Sequence, residues 1–232
     1  MGERILGHCL LSPMSRLAIA IFDLDGTLVR GDTFVKYTAG FVMRRPIRLF
    51  RCLVLTGVIL RFVRGLVSAA HMKERVLIAA LGGSDRTEIL HYTDEFLVRL
   101  IPEGMSKRGL ETLEQHRKLG DTLVLLSASP DVYVVELGRR LGFHEVICTK
   151  VQWSGDRFSG ELCGPNIKGE EKVQCFLSIK RRFAEAIVVA YADHMSDLPL
   201  LRAVDAGVLV NGSKKAKRMA REYSIGTQDW DC

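Results

Sequence analysis

No C-x-x-C pair occurs in this chain of 232 residues, and its six cysteines, Cys9, Cys52, Cys148, Cys163, Cys175 and Cys232, lie scattered. Such spacing argues against a zinc site and against a disulfide framework, and fits a reducing cytoplasm. Aromatic residues make up only 7%. No nucleic-acid-binding motif accompanies the basic clusters, so no nucleic-acid partner is expected. No secretory leader is expected from the N-terminus either: the first apolar stretch is short and an acidic motif follows almost at once. Gly2 follows Met1, but Leu6 stands where a myristoylation signal needs Ser or Thr. Residues 1–13 show no periodicity and read as an N-terminal extension, with Met14 an equally good start.

A long hydrophobic run is also missing. The segment Pro46–Gly65 is apolar, yet Arg51 and Arg61 enclose only nine uncharged residues, well short of the roughly 20 that a spanning helix needs. Arg44, Arg48 and Arg51 share one helical face, the pattern of an amphipathic helix lying on an anionic membrane. The alternative is a helix burying its apolar side on its neighbours with the arginines in water. What the chain does have is a 47% hydrophobic content and a net charge of +6. The first allows a sizeable core; the second favours an anionic substrate or surface.

Short apolar, β-rich runs recur at Leu17–Phe22, Thr122–Leu126, Glu145–Cys148, Ala186–Tyr191 and Ala206–Val210, as expected of parallel strands buried on both faces. Helical patterns at 104–118, 130–141, 169–183, 197–203 and 213–222 separate or follow them. Ser129-Pro130 suits the start of one of these helices and Gly142 its stop. The alternation predicts an α/β fold: a doubly wound, Rossmann-like, mostly parallel five-stranded sheet with its site at the strand C-termini. From Asp32 to Val98 only helical periodicity is found, with a stop at Gly82-Gly83 and a start at Ser84-Asp85. The expected division is therefore a core of residues 14–31 and 99–232 and an inserted all-helical cap of 32–98. Ser154-Gly155-Asp156, between two short β-rich stretches, predicts a hairpin.

Four features fall at predicted strand ends or in the loops after them. Asp23-Leu24-Asp25-Gly26-Thr27 places two carboxylates where one can attack phosphorus and the other handle a proton; an acidic turn is the plain alternative. Ser127-Ala128-Ser129 offers a hydroxyl beside free helix N–H groups, suited to a phosphate oxygen, although Ser129 alone would serve as a helix cap. Lys168, in a glycine-flanked loop, can neutralise phosphoryl charge or simply be solvated. Asp193-His194-Met195-Ser196-Asp197 supplies paired carboxylates for a hard cation such as Mg²⁺; alone, Asp197 would cap a helix.

This order of motifs, over about residues 17–210, resembles the haloacid dehalogenase superfamily, and the cap after the first motif resembles its phosphoserine phosphatase subgroup. The resemblance implies that Asp23 becomes the aspartyl-phosphate and that Asp25 serves as acid and base. Ser127, Ala128 and Lys168 would hold the phosphoryl group. Mg²⁺ would be bound by Asp23, the backbone carbonyl of Asp25 and Asp193, with Asp197 in support. Asp32 stands where phosphoserine phosphatases carry a glutamate for the substrate amine, with a helix start as the alternative.

Two departures point away from phosphoserine: Ser127-Ala128-Ser129-Pro130 replaces serine-glycine-glycine, and Ala192 and Ser196 replace a glycine and an asparagine around Asp193. The arginine-rich cap also resembles phosphatidylglycerophosphate phosphatases. The expected activity is Mg²⁺-dependent hydrolysis of a small or lipid-linked phosphomonoester, cytoplasmic or peripheral at the inner membrane face. Phosphoserine hydrolysis is the alternative, and a non-catalytic phospho-ligand sensor at the membrane is the reading from another class. His194 is expected either to pack its loop or to touch substrate.

Overall fold

Residues 17–53 and 55–230 are described in the computed structural model of the chain. The extension over 1–13, Met14, Cys9 and Cys232 lie outside them. The chain starts with β1 (Ala18–Phe22) and then runs through five helices: α1 (Thr33–Arg44), α2 (Ile47–Leu53), α3 (Leu55–Val63), α4 (Ala69–Leu81) and α5 (Arg86–Gly104). It continues through α6 (Lys107–Leu119), β2 (Thr122–Pro130), α7 (Asp131–Arg140), β3 (Glu145–Thr149), β4 (Val151–Ser154) and β5 (Arg157–Leu162). The last part comprises α8 (Glu170–Arg182), β6 (Ile187–Ala192), a 3-10 turn (Met195–Asp197), α9 (Leu198–Ala203), β7 (Ala206–Val210), α10 (Lys214–Glu222) and β8 (Gly226–Gln228).

The main sheet has the order β3-β2-β1-β6-β7-β8, with every pairing parallel. It therefore has six strands rather than the expected five. β8 is short, exposed Gly-Thr-Gln, with none of the apolar character that marks the others. Strand side chains alternate between two cores, as the two-residue strand period requires. Ala20, Phe22, Leu123 and Leu125 join one, and Ile19, Ile21, Val124 and Leu126 the other. β1 lies at the centre, where the strand order turns outward in both directions. In open α/β sheets such a switch point leaves a crevice beyond the strand C-termini.

The segment after β1 is all helix, as the periodicity predicts, and forms the cap. α5 runs unbroken through position 98, so a boundary drawn there cuts a continuous helix. The predicted hairpin is β4-β5, antiparallel, with Gly155 in its turn. It clasps α4: a Cβ on Gly160 would sit 2.8 Å from the backbone nitrogen of Ile78, and the Leu162 N–H donates to Glu74 Oε1 at 3.0 Å.

The arginine face of the cap requires a correction. Arg48 is buried, donating to the Ala80 carbonyl and the Ser84 hydroxyl, each at 2.7 Å. Arg51 donates to the Gly82 carbonyl at 3.1 Å, and Arg44 pairs with Glu95. The last carbonyls of a helix have no partner within it, and those of α4 draw two of these cations inward.

Candidate active site

Asp23 is the first residue beyond β1, and its N–H donates to the Tyr191 carbonyl of β6 at 2.9 Å. Phe22 pairs with Tyr191, so Asp193, two residues past Tyr191, emerges beside Asp23. The intervening turn depends on Gly26. Its φ of +75° suits glycine, and a Cβ there would lie 2.1 Å from Asp193 Oδ2. The first and fourth motifs are thus brought into van der Waals contact.

The Asp25 carboxylate faces elsewhere. Its Oδ1 accepts from the Thr33 N–H at 2.6 Å and its Oδ2 from the Ser129 hydroxyl at 2.6 Å. Thr33 opens α1, so that donor is one of the free N–H groups of a helix start, where a carboxylate is favoured. Burial raises the Asp25 pKa against both hydrogen bonds. Ser129 is therefore not the cap of α7, whose N-cap is Pro130; its hydroxyl joins the second motif to the first.

The lysine beside Asp23 is Lys172 rather than the expected Lys168. Lys172 is buried, with Nζ 2.9 Å from Asp23 Oδ1 and 3.1 Å from Asp197 Oδ1. Burial alone would lower its pKa, but Asp23 and Asp197 raise it overall. Lys172 sits in the first turn of α8, which points back at the strand ends. The preceding Glu170-Glu171 and the unfavourable placing of a cation at a helix start disguise it as a solvated residue. Lys168, in the loop before α8, lines the pocket without reaching Asp23.

Asp23, Asp193 and Asp197 can each bring a carboxylate oxygen within 4.8 Å of the others. One lysine does not balance three carboxylates. Burial and the neighbouring Asp197 push Asp193 up to about 6, and burial, opposed by Lys172, pushes Asp23 above the usual carboxylate range. A compact set of oxygen donors with surplus negative charge suits a hard divalent cation. The Asp25 carboxylate is not in this set, which leaves only its backbone carbonyl for the metal role implied by the resemblance.

Around these groups lies a pocket of roughly 400 Å³ lined by Asp32, Lys73, Ala128, Ser129, Lys168 and His194 beside the aspartates. Ser127 is buried beneath it and accepts from the Ser129 N–H at 3.1 Å. Asp32 caps α1, accepting from the Val35 N–H at 3.0 Å, and also lines the pocket. His194 bonds Ser196 of its own loop and lies at the pocket wall. Lys73, from α4 of the cap, carries no signal in the sequence because it belongs to no motif. Its ammonium donates to the Ala128 carbonyl and Asn166 Oδ1, and burial, with Lys168 nearby, lowers it to about 8.

Asn211, just beyond β7, completes the surround. It adopts a φ of +51°. Its Nδ2 donates to the Gly26 carbonyl at 3.1 Å, and its Oδ1 accepts from the Trp230 N–H at 2.8 Å.

Residues 20–202 match the family model of haloacid dehalogenase-like hydrolases. Phosphoserine phosphatase SerB1 of Mycobacterium tuberculosis is 25% identical over 223 residues, covering 94% of this chain and 72% of that protein. Protein CicA of Caulobacter vibrioides is 28% identical over 197 residues, covering 81% and 83%. Among solved structures, a Bordetella pertussis protein of unknown function superposes with a TM-score of 0.79 at 23% identity, covering 93% of this chain and 100% of that one. The aspartates gathered at the centre of this sheet accordingly have a family to explain them, and the chain belongs to the haloacid dehalogenase-like hydrolases.

Proposed function

We propose that the chain hydrolyses a phosphomonoester through an aspartyl-phosphate on Asp23. The observation that carries this reading is the unequal treatment of two neighbouring carboxylates. Asp23 faces Lys172 and the other metal-type ligands, whereas the Asp25 carboxylate is turned away from the lysine and held by the Ser129 hydroxyl and the Thr33 N–H. A nucleophile needs the first environment and a proton donor the second.

Attack by Asp23 on phosphorus forms the acyl-phosphate bond as the bond to the leaving oxygen breaks. Asp25 gives its proton to that oxygen. The resulting Asp25 carboxylate then takes a proton from the water that hydrolyses the intermediate, restoring both residues and releasing phosphate. Lys172 holds Asp23 in place and offsets phosphoryl charge, with Lys168 at the pocket wall. Asp23, Asp193 and the Asp25 carbonyl, with Asp197 in support, would hold Mg²⁺, which when bound supplies electrostatic stabilisation of the transferring phosphoryl group. Ser127 and Ala128, towards the C-terminal end of β2, would receive its oxygens.

The substrate we favour is a small or lipid-linked phosphomonoester whose leaving group carries a further anion. After Lys172 is engaged by carboxylates, Lys73 and Lys168 still face the pocket. Roughly 400 Å³ is at the small end of ligand sites and would admit a headgroup, leaving acyl chains outside. Phosphoserine, the substrate class in the name of the mycobacterial relative, also carries a second anion, and its amine would meet Asp32 at the pocket wall.

The test is release of phosphate from p-nitrophenyl phosphate with Mg²⁺, and then from phosphoserine and phosphatidylglycerophosphate. Asp23→Asn is expected to lower turnover at least about a thousandfold, the scale of losing a nucleophile that acts with its partners. Turnover by no phosphomonoester at all would leave a phospho-ligand sensor as the function.

A further inference from the structure

The surface that α2 and α3 turn away from the protein is apolar where it should be polar. Ile47 is 72% exposed, Phe50 69%, Leu53 64% and Val63 77%. Pro46, Ile47, Leu49, Phe50 and Leu53 enclose a shallow apolar groove on α2. Single exposed hydrophobic residues are ordinary, but a run of them on adjoining helices marks an interaction surface.

The charge around this surface identifies its partner. From Thr33 to Lys73 there is no acidic residue, against two lysines and six arginines. Arg44, Arg48 and Arg51 are engaged inside the cap, but Arg61 and Arg64 are exposed at the end of α3 beside Val63, with no ion pair among the described residues. An acidic protein partner could satisfy cations, and an apolar one could cover Phe50; bulky apolar side chains flanked by arginines with no acid nearby suit a bilayer with anionic headgroups. Neither helix is long or apolar enough to cross a membrane, so the contact is one of lying in the interface. Position supports this. α3 leads through Leu66, 65% exposed, into α4, whose first residue Ala69 lines the catalytic pocket together with Lys73.

We propose that the α2–α3 face docks the protein on anionic lipid, inserting Ile47, Phe50, Leu53 and Val63 among headgroups and placing Arg61 and Arg64 against lipid phosphates. The pocket mouth then opens beside the lipid surface. What the docked protein hydrolyses rests on the phosphomonoesterase reading; the docking itself does not.

The experiment is co-sedimentation of the full chain with vesicles of phosphatidylglycerol and phosphatidylcholine in equal parts, and with vesicles of phosphatidylcholine alone. The variants are Phe50→Ser with Val63→Ser, Arg61→Glu with Arg64→Glu, and Asp23→Asn, with p-nitrophenyl phosphate turnover measured on each. Wild type and Asp23→Asn should bind the anionic vesicles equally, and raised salt should weaken them. Each of the other two variants should bind at least about tenfold more weakly while keeping wild-type turnover, which shows that they fold. Absence of vesicle binding, or equal binding to phosphatidylcholine alone, overturns the proposal. So does a stable dimer in solution that the Phe50 and Val63 substitutions dissociate, because the face would then belong to a second copy. Turnover without vesicle binding defeats the docking alone; vesicle binding without turnover defeats the catalytic reading alone.

Discussion

Lys172 and Lys168 lie four residues apart along the chain, yet their surroundings assign them different work. Lys172 Nζ is buried between Asp23 and Asp197, so Lys172→Met removes the charge that offsets Asp23 and, in the proposed reaction, the phosphoryl group. A fall in kcat of at least about a hundredfold is expected, on the scale of losing a main electrostatic contact in the transition state. Lys168→Met should instead raise KM several-fold, a difference that steady-state kinetics separates directly. Lys73 offers a pH test. Its pKa is lowered to about 8 by burial first and Lys168 second, so its charged form prevails below that pH and is lost above it. KM for a substrate with a second anion should therefore rise above pH 8, approaching tenfold by about one unit higher. Lys73→Met should remove that rise, while kcat on p-nitrophenyl phosphate holds. The sequence shows Asp23, Asp25, Asp193 and Asp197 clearly because each follows an apolar strand in a short acidic motif. Lys172, Lys73 and the Ser129–Asp25 bond are hidden because each depends on a partner distant along the chain.

At the scale of elements, apolar runs and capping residues reveal β1, β2, β3, β6 and β7 and the helices between them, since buried parallel strands and helix ends each need particular residue types. β8 carries no such signal; its pairing with Val208–Val210 is supplied by its neighbour. The direction in which the cap arginines point is equally illegible, because helical periodicity shows which residues share a face but not what lies opposite. The clasp of β4-β5 on α4 has a measurable consequence. Gly160 has a φ of +87°, and an added Cβ would meet the Ile78 backbone at 2.8–2.9 Å. Gly160→Ala should cost about 2–3 kcal/mol from backbone strain and overpacking together. Thermal unfolding should show a drop of several degrees. Because α4 carries Lys73, KM should also rise in the variant that remains folded.

Across the whole molecule, the site stores electrostatic strain that depends on pH. Asp23 and Asp193 have folded-state pKa values above the ordinary 3.8, Asp193 reaching about 6, through burial first. Raised carboxyl values mean that the folded state holds these protons more tightly than the unfolded one. Their contribution is fully present below the unfolded value and is lost as pH rises through the folded value. Metal-free protein should accordingly lose stability as pH rises from about 4 through 6 and beyond. Mg²⁺ should restore it, with a rise in Tm that is larger at pH 8 than at pH 5. Asp23→Asn, which removes a buried carboxylate that ionises as pH rises, should raise Tm without metal at pH 8 but little at pH 5, and should reduce the shift that Mg²⁺ produces. Differential scanning calorimetry at the two pH values, with and without Mg²⁺, reads both effects.

The strand that leads into Asp23 precedes the other strands of the sheet in the sequence and is among the last of them to be completed. β1 lies at the centre of the sheet, and its two neighbours begin at Thr122 and Ile187. On the ribosome, Ile19 and Ile21 must therefore wait through translation of the entire cap before either side of the strand is covered. The carbonyl of Gly26 waits longer still, for the Asn211 that Trp230 steadies. Pairings this remote fold slowly, and an uncovered apolar strand is a point of attachment for other chains. During synthesis, then, β1 stays uncovered until β2 and β6 emerge, and the proposed chemistry waits for Asn211 and Trp230.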